Sequence, residues 1–290
     1  MAFLSCGYGS DVGRIRNHNE DSFVVDPQLG LWLVADGMGG HSGGEVASAI
    51  ASLVVHQRVA GGLSLREAIQ DAHLAILAAA EQGDGIKGMG ATLVALHARD
   101  LHYEIAWVGD SRAYLWDSAE PALSQLSHDH SYVQLLVDRG VLSEREAVGH
   151  PQAHVVLQAL GVPERHELRV SRSSGQWQRG QRILLCSDGL SGELDAVELG
   201  QILGSGVDEQ VQADRLIQAA LTHGGRDNIS AIVVAAPQDA PQALNLDATV
   251  PRAEPAPAPR SASPKFDRRL GYLGAAVLGV LLIVLAFFLV

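Results

Sequence analysis

Four short segments of this 290-residue chain set a carboxylate beside glycine or asparagine, at the end of an apolar run or in a turn. They are Asn19-Glu20-Asp21-Ser22, Ala35-Asp36-Gly37-Met38-Gly39-Gly40-His41, Ser187-Asp188-Gly189 and Arg226-Asp227-Asn228-Ile229. Carboxylates at strand ends converge on one edge of a sheet, and hard cations such as Mg²⁺ or Mn²⁺ take oxygen donors of this kind. A glycine after the Asp lets the backbone turn sharply and offers an unhindered carbonyl to the same ion. One Asp-Gly alone reads as a turn. The segments together predict a metal centre.

Other chemistries fit these residues less well. Gly37-Met38-Gly39-Gly40-His41-Ser42 nearly spells the dinucleotide fingerprint, but Ser42 replaces its last glycine and Asp36 would oppose a pyrophosphate. Cys6 and Cys186 form no C-x-x-C pair and neither has an Arg six positions on, so a disulfide framework, a zinc site and a thiolate phosphatase are unsupported. Two reduced cytosolic thiols are expected instead. The apolar run before Cys6 is too short for a signal peptide. Gly109-Asp110-Ser111-Arg112-Ala113 lacks the last glycine of a serine-hydrolase elbow and reads as a strand-end turn.

The elements that must position these groups lie within residues 1–236. Runs 31–35, 91–96, 102–108, 182–186 and 229–234 are short and rich in β-branched or aromatic residues, which predicts strands. Apolar residues three or four apart predict helices over 44–60, 65–82, 131–139, 195–203 and 208–222. Two adjacent helices near the start, then consecutive strands, indicate an α+β fold with largely antiparallel sheets. Residues 128–163 are less regular and read as a mobile surface segment.

The tail differs. Residues 270–290 are twenty-one uncharged positions, enough as a helix to span about 30 Å of hydrocarbon. Lys265, Arg268 and Arg269 precede them, which predicts a single-pass protein of the cell inner membrane with its catalytic domain in the cytoplasm. Residues 237–269, with runs such as Ala253-Glu254-Pro255-Ala256-Pro257-Ala258-Pro259-Arg260, are expected to form a semi-stiff linker. Formal net charge is −12, yet residues 237–290 hold five basic and four acidic side chains, so the acidity is concentrated in the first 236 residues. An acidic domain without a basic stripe is unsuited to nucleic acid and suits cations.

In order, Gly13-Arg14-Ile15-Arg16-Asn17-His18-Asn19-Glu20-Asp21-Ser22, Val34-Ala35-Asp36-Gly37-Met38-Gly39-Gly40-His41, Gly88-Met89-Gly90-Ala91-Thr92, Val108-Gly109-Asp110-Ser111-Arg112, Cys186-Ser187-Asp188-Gly189-Leu190 and Arg226-Asp227-Asn228-Ile229-Ser230 resemble the motifs of bacterial 2C-like (PPM family) metal-dependent protein Ser/Thr phosphatases. The match covers residues 5–235. It implies a central sandwich of two antiparallel β-sheets flanked by α-helices, a four-layer αββα arrangement, to which this chain would add one C-terminal transmembrane helix.

The resemblance also implies Mn²⁺ or Mg²⁺, two ions with a third, weaker one. By it, Asp36 resembles the carboxylate bridging both metals, the Gly37 carbonyl and Glu20 serve one ion, and Asp188 and Asp227 serve the other. Asp129, with Asp188, resembles the ligand of the third ion; Asp110 is an alternative third-ion ligand or a structural residue. Asp21 orients a metal-bound water. Arg16 matches the position that grips the substrate phosphate, where a planar guanidinium holds two oxygens at once, and Arg14 is its bland neighbour. The implied reaction is hydrolysis of phosphoserine and phosphothreonine monoesters by direct attack of a metal-bridging hydroxide, without a phosphoenzyme. Some relatives place His directly after Asp-Gly where this chain has Met38, so the proton donor to the leaving oxygen is not supplied by the resemblance. His41 is the nearest substitute; capping the helix that begins near residue 44 is its structural alternative.

The competing reading is a catalytically inactive, membrane-tethered phosphoprotein-binding regulatory module, whose usual sign would be a lost metal ligand. Glu20, Asp36, Asp188 and Asp227 are all present. The expected partners are phosphorylated proteins, among them a cognate Ser/Thr kinase and membrane-proximal targets. The 33-residue linker would reach roughly 30 Å as a coil and about 100 Å if extended.

Overall fold

The structure is a computed structural model that describes residues 4–39, 43–82, 87–163 and 168–242. His41, most of the expected linker and the expected membrane span at 270–290 lie outside the described residues. Among the described residues no helix is long and apolar enough to cross a membrane.

The strands are β1 (Cys6–Asp11), β2 (Asp21–Asp26), β3 (Leu31–Met38), β4 (Gly90–Ala91), β5 (Leu93–Arg99), β6 (His102–Val108), β7 (Arg112–Asp117), β8 (Ala122–Gln125), β9 (Ser171–Gln176), β10 (Arg182–Cys186) and β11 (Ile229–Ala235). The helices are α1 (Gly43–Ala60), α2 (Leu65–Gln82), α3 (Tyr132–Asp138), α4 (Glu144–Ala147), α5 (Asp188–Ser191), α6 (Ala196–Leu203) and α7 (Glu209–His223). One antiparallel sheet runs β1-β11-β10-β7-β8; the other runs β2-β3-β5-β6-β9, with β4 also on β3.

Period-two alternation sorts β3 between two cores. Leu31, Leu33 and Ala35 pack under α1 and α2, while Trp32 and Val34 point between the sheets. On α1 the contact stripe is Ala47, Ala51, Val55 and Val59, spaced by four, and its small residues let the helix lie close to the sheet. A third core, including Leu199, Leu203, Leu216 and Ala220, buries α6 and α7 against the other sheet. The result is the expected α+β sandwich of two antiparallel sheets flanked by helices.

Three local features differ from the sequence reading. β3 does not end at Asp36-Gly37: it continues to Met38, because β4 pairs with Gly37 and Met38. β1, β2, β7, β8 and β9 are additional strands, most of them rich in Gly, Ser or Asp rather than apolar residues. Residues 237–242, grouped by composition with the linker, pack on the domain: Ala240 is buried and Pro241 C=O accepts from Arg179 N–H at 2.9 Å.

Candidate metal centre

Two strand pairs carry most of the acidic residues. In the β2–β3 pair, Asp21 stands directly opposite Asp36. Glu20 immediately precedes β2, and its backbone is pinned on both sides. Its N–H donates to Asn228 Oδ1 at 2.8 Å, and its C=O accepts from Gly37 N–H at 3.1 Å and Ser48 Oγ at 2.6 Å. Gly37 is required here for close approach rather than for a turn. A Cβ on it would lie 2.2 Å from Gly44 O and 2.6 Å from Glu20 O. A Cβ on Gly44 would fall 2.6 Å from Glu20 Oε2, so the carboxylate lies against the first turn of α1.

The second pair is β10–β11. Asp188 opens α5 directly after β10, and Asp227 precedes β11. Gly189 again has no room for a side chain, since its Cβ would sit 2.0 Å from Asn228 O. That contact brings the Asp188 and Asp227 backbones together. Asn228 then ties this end to the N-terminal segment, its Nδ2 donating to Val12 O and His18 O, both at 2.9 Å.

Electrostatics follow from this crowding. Asp36 has its carboxyl pushed well above the usual range, first by desolvation and then by the field of Asp21, Asp188, Asp110 and Asp227. Desolvation likewise raises Asp21 to about 7, against the pull of hydroxyl donors from Ser230 and Ser187 and with a further push from Asp188 and Asp227. Those hydroxyls both donate to Asp21 Oδ2, at 2.7 and 2.8 Å, while the buried Oδ1 has no hydrogen-bond partner. Asp110, buried in the turn between β6 and β7, is raised to about 7 by desolvation, Asp188 and Asp129.

Asp129 is placed differently. It is buried, and Arg112 Nε and Nη2 both donate to its carboxylate, the shortest contact being 2.7 Å, with Gln125 adding a bond of 3.0 Å. Arg16 lies on the rim, half-exposed, with Nη2 2.7 Å from Asp227 Oδ2. Arg14 is committed elsewhere: its Nε donates to Leu221 O at 2.8 Å. The structure thus brings Glu20, Asp21, Asp36, Asp188, Asp227, Asp110 and Arg16 into one mutual field. Four contributors were not singled out from the sequence. Ser187, Ser230 and Asn228 hold ligands in place, and exposed His154 has Nδ1 3.9 Å from Asp188 Oδ2. Ser187, Asn228 and Ser230 were visible as members of the motifs, but their hydrogen bonds depend on register; nothing local marked His154.

Among the described residues no three acidic, His or Cys side chains stand close enough to form a ligand shell on their own. The donors nevertheless fit a hard cation. They are all oxygens, their mutual repulsion favours positive charge, Asp21 Oδ1 is unsatisfied, and the Gly37–Gly44 contact keeps the approach to Glu20 free of side chains.

Comparison with known proteins agrees. Residues 15–207 match the family protein phosphatase 2C. The serine/threonine phosphatase stp of Listeria monocytogenes is 37% identical over 242 residues, covering 78% of this chain and 94% of that protein. The catalytic domain of the serine/threonine protein phosphatase PstP, solved with two manganese ions, superposes with a TM-score of 0.71 at 33% identity, over 81% of this chain and 99% of that one. PppA, described as a key regulatory component of T6SS in Pseudomonas aeruginosa, superposes with a TM-score of 0.71 at 35% identity, over 81% and 98% of the two chains. With its fold, its oxygen-donor cluster and these likenesses in agreement, the chain belongs to the protein phosphatase 2C family and is a serine/threonine protein phosphatase that uses Mn²⁺ or Mg²⁺.

Proposed function

We propose that Asp36, Glu20, the Gly37 carbonyl, Asp188 and Asp227 would hold two divalent cations, Glu20 and Gly37 serving one, Asp188 and Asp227 the other, and Asp36 both. The observation that carries this is geometric: Asp21 stands opposite Asp36, and its Oδ2 accepts from Ser187, next to Asp188, and from Ser230 at the start of β11 beyond Asp227, so the two strand pairs meet at one edge. Asp129, with Asp188, would hold a third ion only weakly, since Arg112 and Gln125 already engage both oxygens of its carboxylate. When bound, the cations lower the pKa of water and neutralise charge on the phosphoryl oxygens.

The chain's own residues do the rest. Arg16 exchanges Asp227 for the substrate phosphate, a move its exposure allows. Asp21, anchored through Oδ2 by two hydroxyls, presents Oδ1 to orient the attacking water. Hydrolysis is direct. Cys186 is fully buried with its thiol pushed up to about 12 by desolvation, so it is no nucleophile. His41, beyond the Asp36-Gly37 strand, donates the proton to the leaving seryl or threonyl oxygen.

In the same reading, residues 270–290 anchor the chain in the inner membrane and the preceding linker holds the catalytic domain at the cytoplasmic face. Substrates are then membrane-proximal phosphoproteins, a cognate Ser/Thr kinase among them. The likeness to PppA, described as a regulatory component of T6SS, supports secretion-system components as a further class.

The test is phosphate release from a phosphoserine peptide by the full chain with Mn²⁺, compared with the chelated protein and with Asp36→Asn. Binding of the peptide without release in Mn²⁺ would overturn the assignment. Fractionation of cells expressing the full chain or residues 1–242 checks the anchor; equal amounts of both in the soluble fraction would remove it.

A further inference from the structure

β9 is the last strand of its sheet and pairs with β6 on one side only. Among the described residues no other backbone segment pairs with its outer side. Exposed edges are ordinarily blunted, because unpaired N–H and C=O groups attract another strand. On the edge strand β1, Tyr8 N–H donates to Gln210 Oε1 at 3.1 Å and Tyr8 C=O accepts from Gln210 Nε2 at 2.9 Å, so a side-chain amide closes it. β8, the far edge of that sheet, is only four residues long. β9 has neither device. Its sequence, Ser-Arg-Ser-Ser-Gly-Gln, is small and polar, and none of the six residues is fully buried.

A groove follows that edge. A cavity of about 710 Å³ is lined by Ser171 and Ser173 from one face of the strand and by Arg172 and Ser174 from the other, so it wraps the edge instead of covering a face. Its opposite wall is α3, through Leu135 and Asp138. A second cavity of about 740 Å³ shares Glu104 and Ser174 with the first and continues to Gln176. At the other end the groove stops short of Glu20, Asp36, Asp188 and Asp227, none of which lines it, and reaches toward Asp110 through His130. Asp129 lies in its wall, and His130 Nε2 is 2.9 Å from Ser171 Oγ while His130 Nδ1 accepts from Gly109 N–H, next to Asp110.

We propose that the outer edge of β9 is the docking strand for the phosphorylated polypeptide: an extended stretch of substrate pairs its backbone with β9, its phosphorylated residue at the Ser171 end. This rests on the phosphatase reading of the metal centre. The reach toward Asp110 selects the substrate as occupant. Six paired residues span about 20 Å, which leads a peptide from the Asp129–Ser171 end to the far cavity. Two of the carboxylates along the groove are paired with arginines, Asp129 with Arg112 and Glu104 with Arg172, and Asp138 lies within hydrogen-bond distance of His128. A neutral edge reads backbone more than side chains, as in other strand-addition sites. Arg169, in the first cavity, and Arg99, in the second, are exposed lining cations with no acidic partner among the described residues. An acidic side chain facing Arg169 is therefore preferred.

The experiment uses the full chain with Mn²⁺, p-nitrophenyl phosphate as a probe too small to reach the groove, and phosphoserine peptides carrying one backbone N-methyl group at successive positions. Strand pairing predicts that kcat/KM falls about three- to tenfold at every second position on one side of the phosphoserine and stays level between them. Ser174→Trp, which fills the groove at an exposed site, raises KM for the peptide and leaves p-nitrophenyl phosphate turnover unchanged. Arg169→Glu removes the preference for an acidic residue. A flat N-methyl profile, or a Ser174→Trp variant that slows both substrates alike, overturns the proposal. Failure to cleave p-nitrophenyl phosphate at all, with Mn²⁺ bound, sinks the phosphatase reading itself and the docking strand with it.

Discussion

Asp21 and Asp36 occupy paired positions across the β2–β3 ladder, so two carboxylates rise from opposite residues on the same face of one sheet. Like charges so placed oppose folding, and Asp188 and Asp227 add to the repulsion at both. The arrangement favours function at the expense of stability. Asp36→Asn is expected to raise the melting temperature in EDTA by several degrees while lowering Mn²⁺-dependent turnover by about 10³-fold or more. Calorimetry and phosphate release on the same preparation check both signs; a variant less stable than the parent in EDTA would contradict the electrostatic account.

The pH dependence of the metal-free protein follows from the raised carboxyls. Asp21 and Asp110 have folded pKa values of about 7 against unfolded values near 3.8. The folded state therefore binds more protons between these limits. Their contribution to stability is fully present below about pH 4 and is lost as pH rises through 7. Unfolding scans in EDTA should show a falling melting temperature from pH 5 to pH 8. Adding Mn²⁺ should flatten or reverse that slope, because the cation takes over the neutralising role.

Arg16 is poised between Asp227 and the incoming phosphate. Losing one charge-assisted contact lowers kcat/KM by roughly 10- to 200-fold, which is the expectation for Arg16→Ala. Arg16→Lys keeps the charge without the planar fork and should recover only part of the loss. Steady-state kinetics with phosphopeptide test the order; a lysine variant indistinguishable from wild type would make Arg16 a simple counter-charge.

Gly37→Ala tests whether the glycine after Asp36 serves close approach. Its Cβ would lie 2.2 Å from Gly44 O, a backbone atom that cannot swing aside. Overpacking of this kind costs about 1–3 kcal/mol. The shift would also move Glu20, so Mn²⁺ affinity should fall along with stability. Titration calorimetry and thermal melts would both be unaffected if the backbone were loose here.

The strongly periodic elements were legible from the sequence. β3, β6, β10 and β11 announced themselves by β-branched and aromatic runs, and α1, α2 and α7 by apolar spacing, because each buries a face whose pattern is local. β9 did not: Ser-Arg-Ser-Ser-Gly-Gln has no apolar alternation, and only its pairing with β6 makes it a strand. The acidic motifs were legible because ligand chemistry restricts residue type. Their support was less so. That Ser187 and Ser230 share one oxygen of Asp21 depends on the register of β2, β10 and β11, which residue spacing does not reveal. Gly37 was read as a turn residue, since Asp-Gly ordinarily is one; its real constraint comes from a helix seven residues further on.

Asn228 joins Glu20 to the last strand across 208 positions of sequence. On a ribosome, which delivers the N-terminal half first, the Glu20–Asp36 side of the centre would wait without its counterpart until β11 had left the exit tunnel. A nascent chain is consequently silent as an enzyme until that strand is free to pair. Any protease cut that frees β11 would return the finished molecule to that silence.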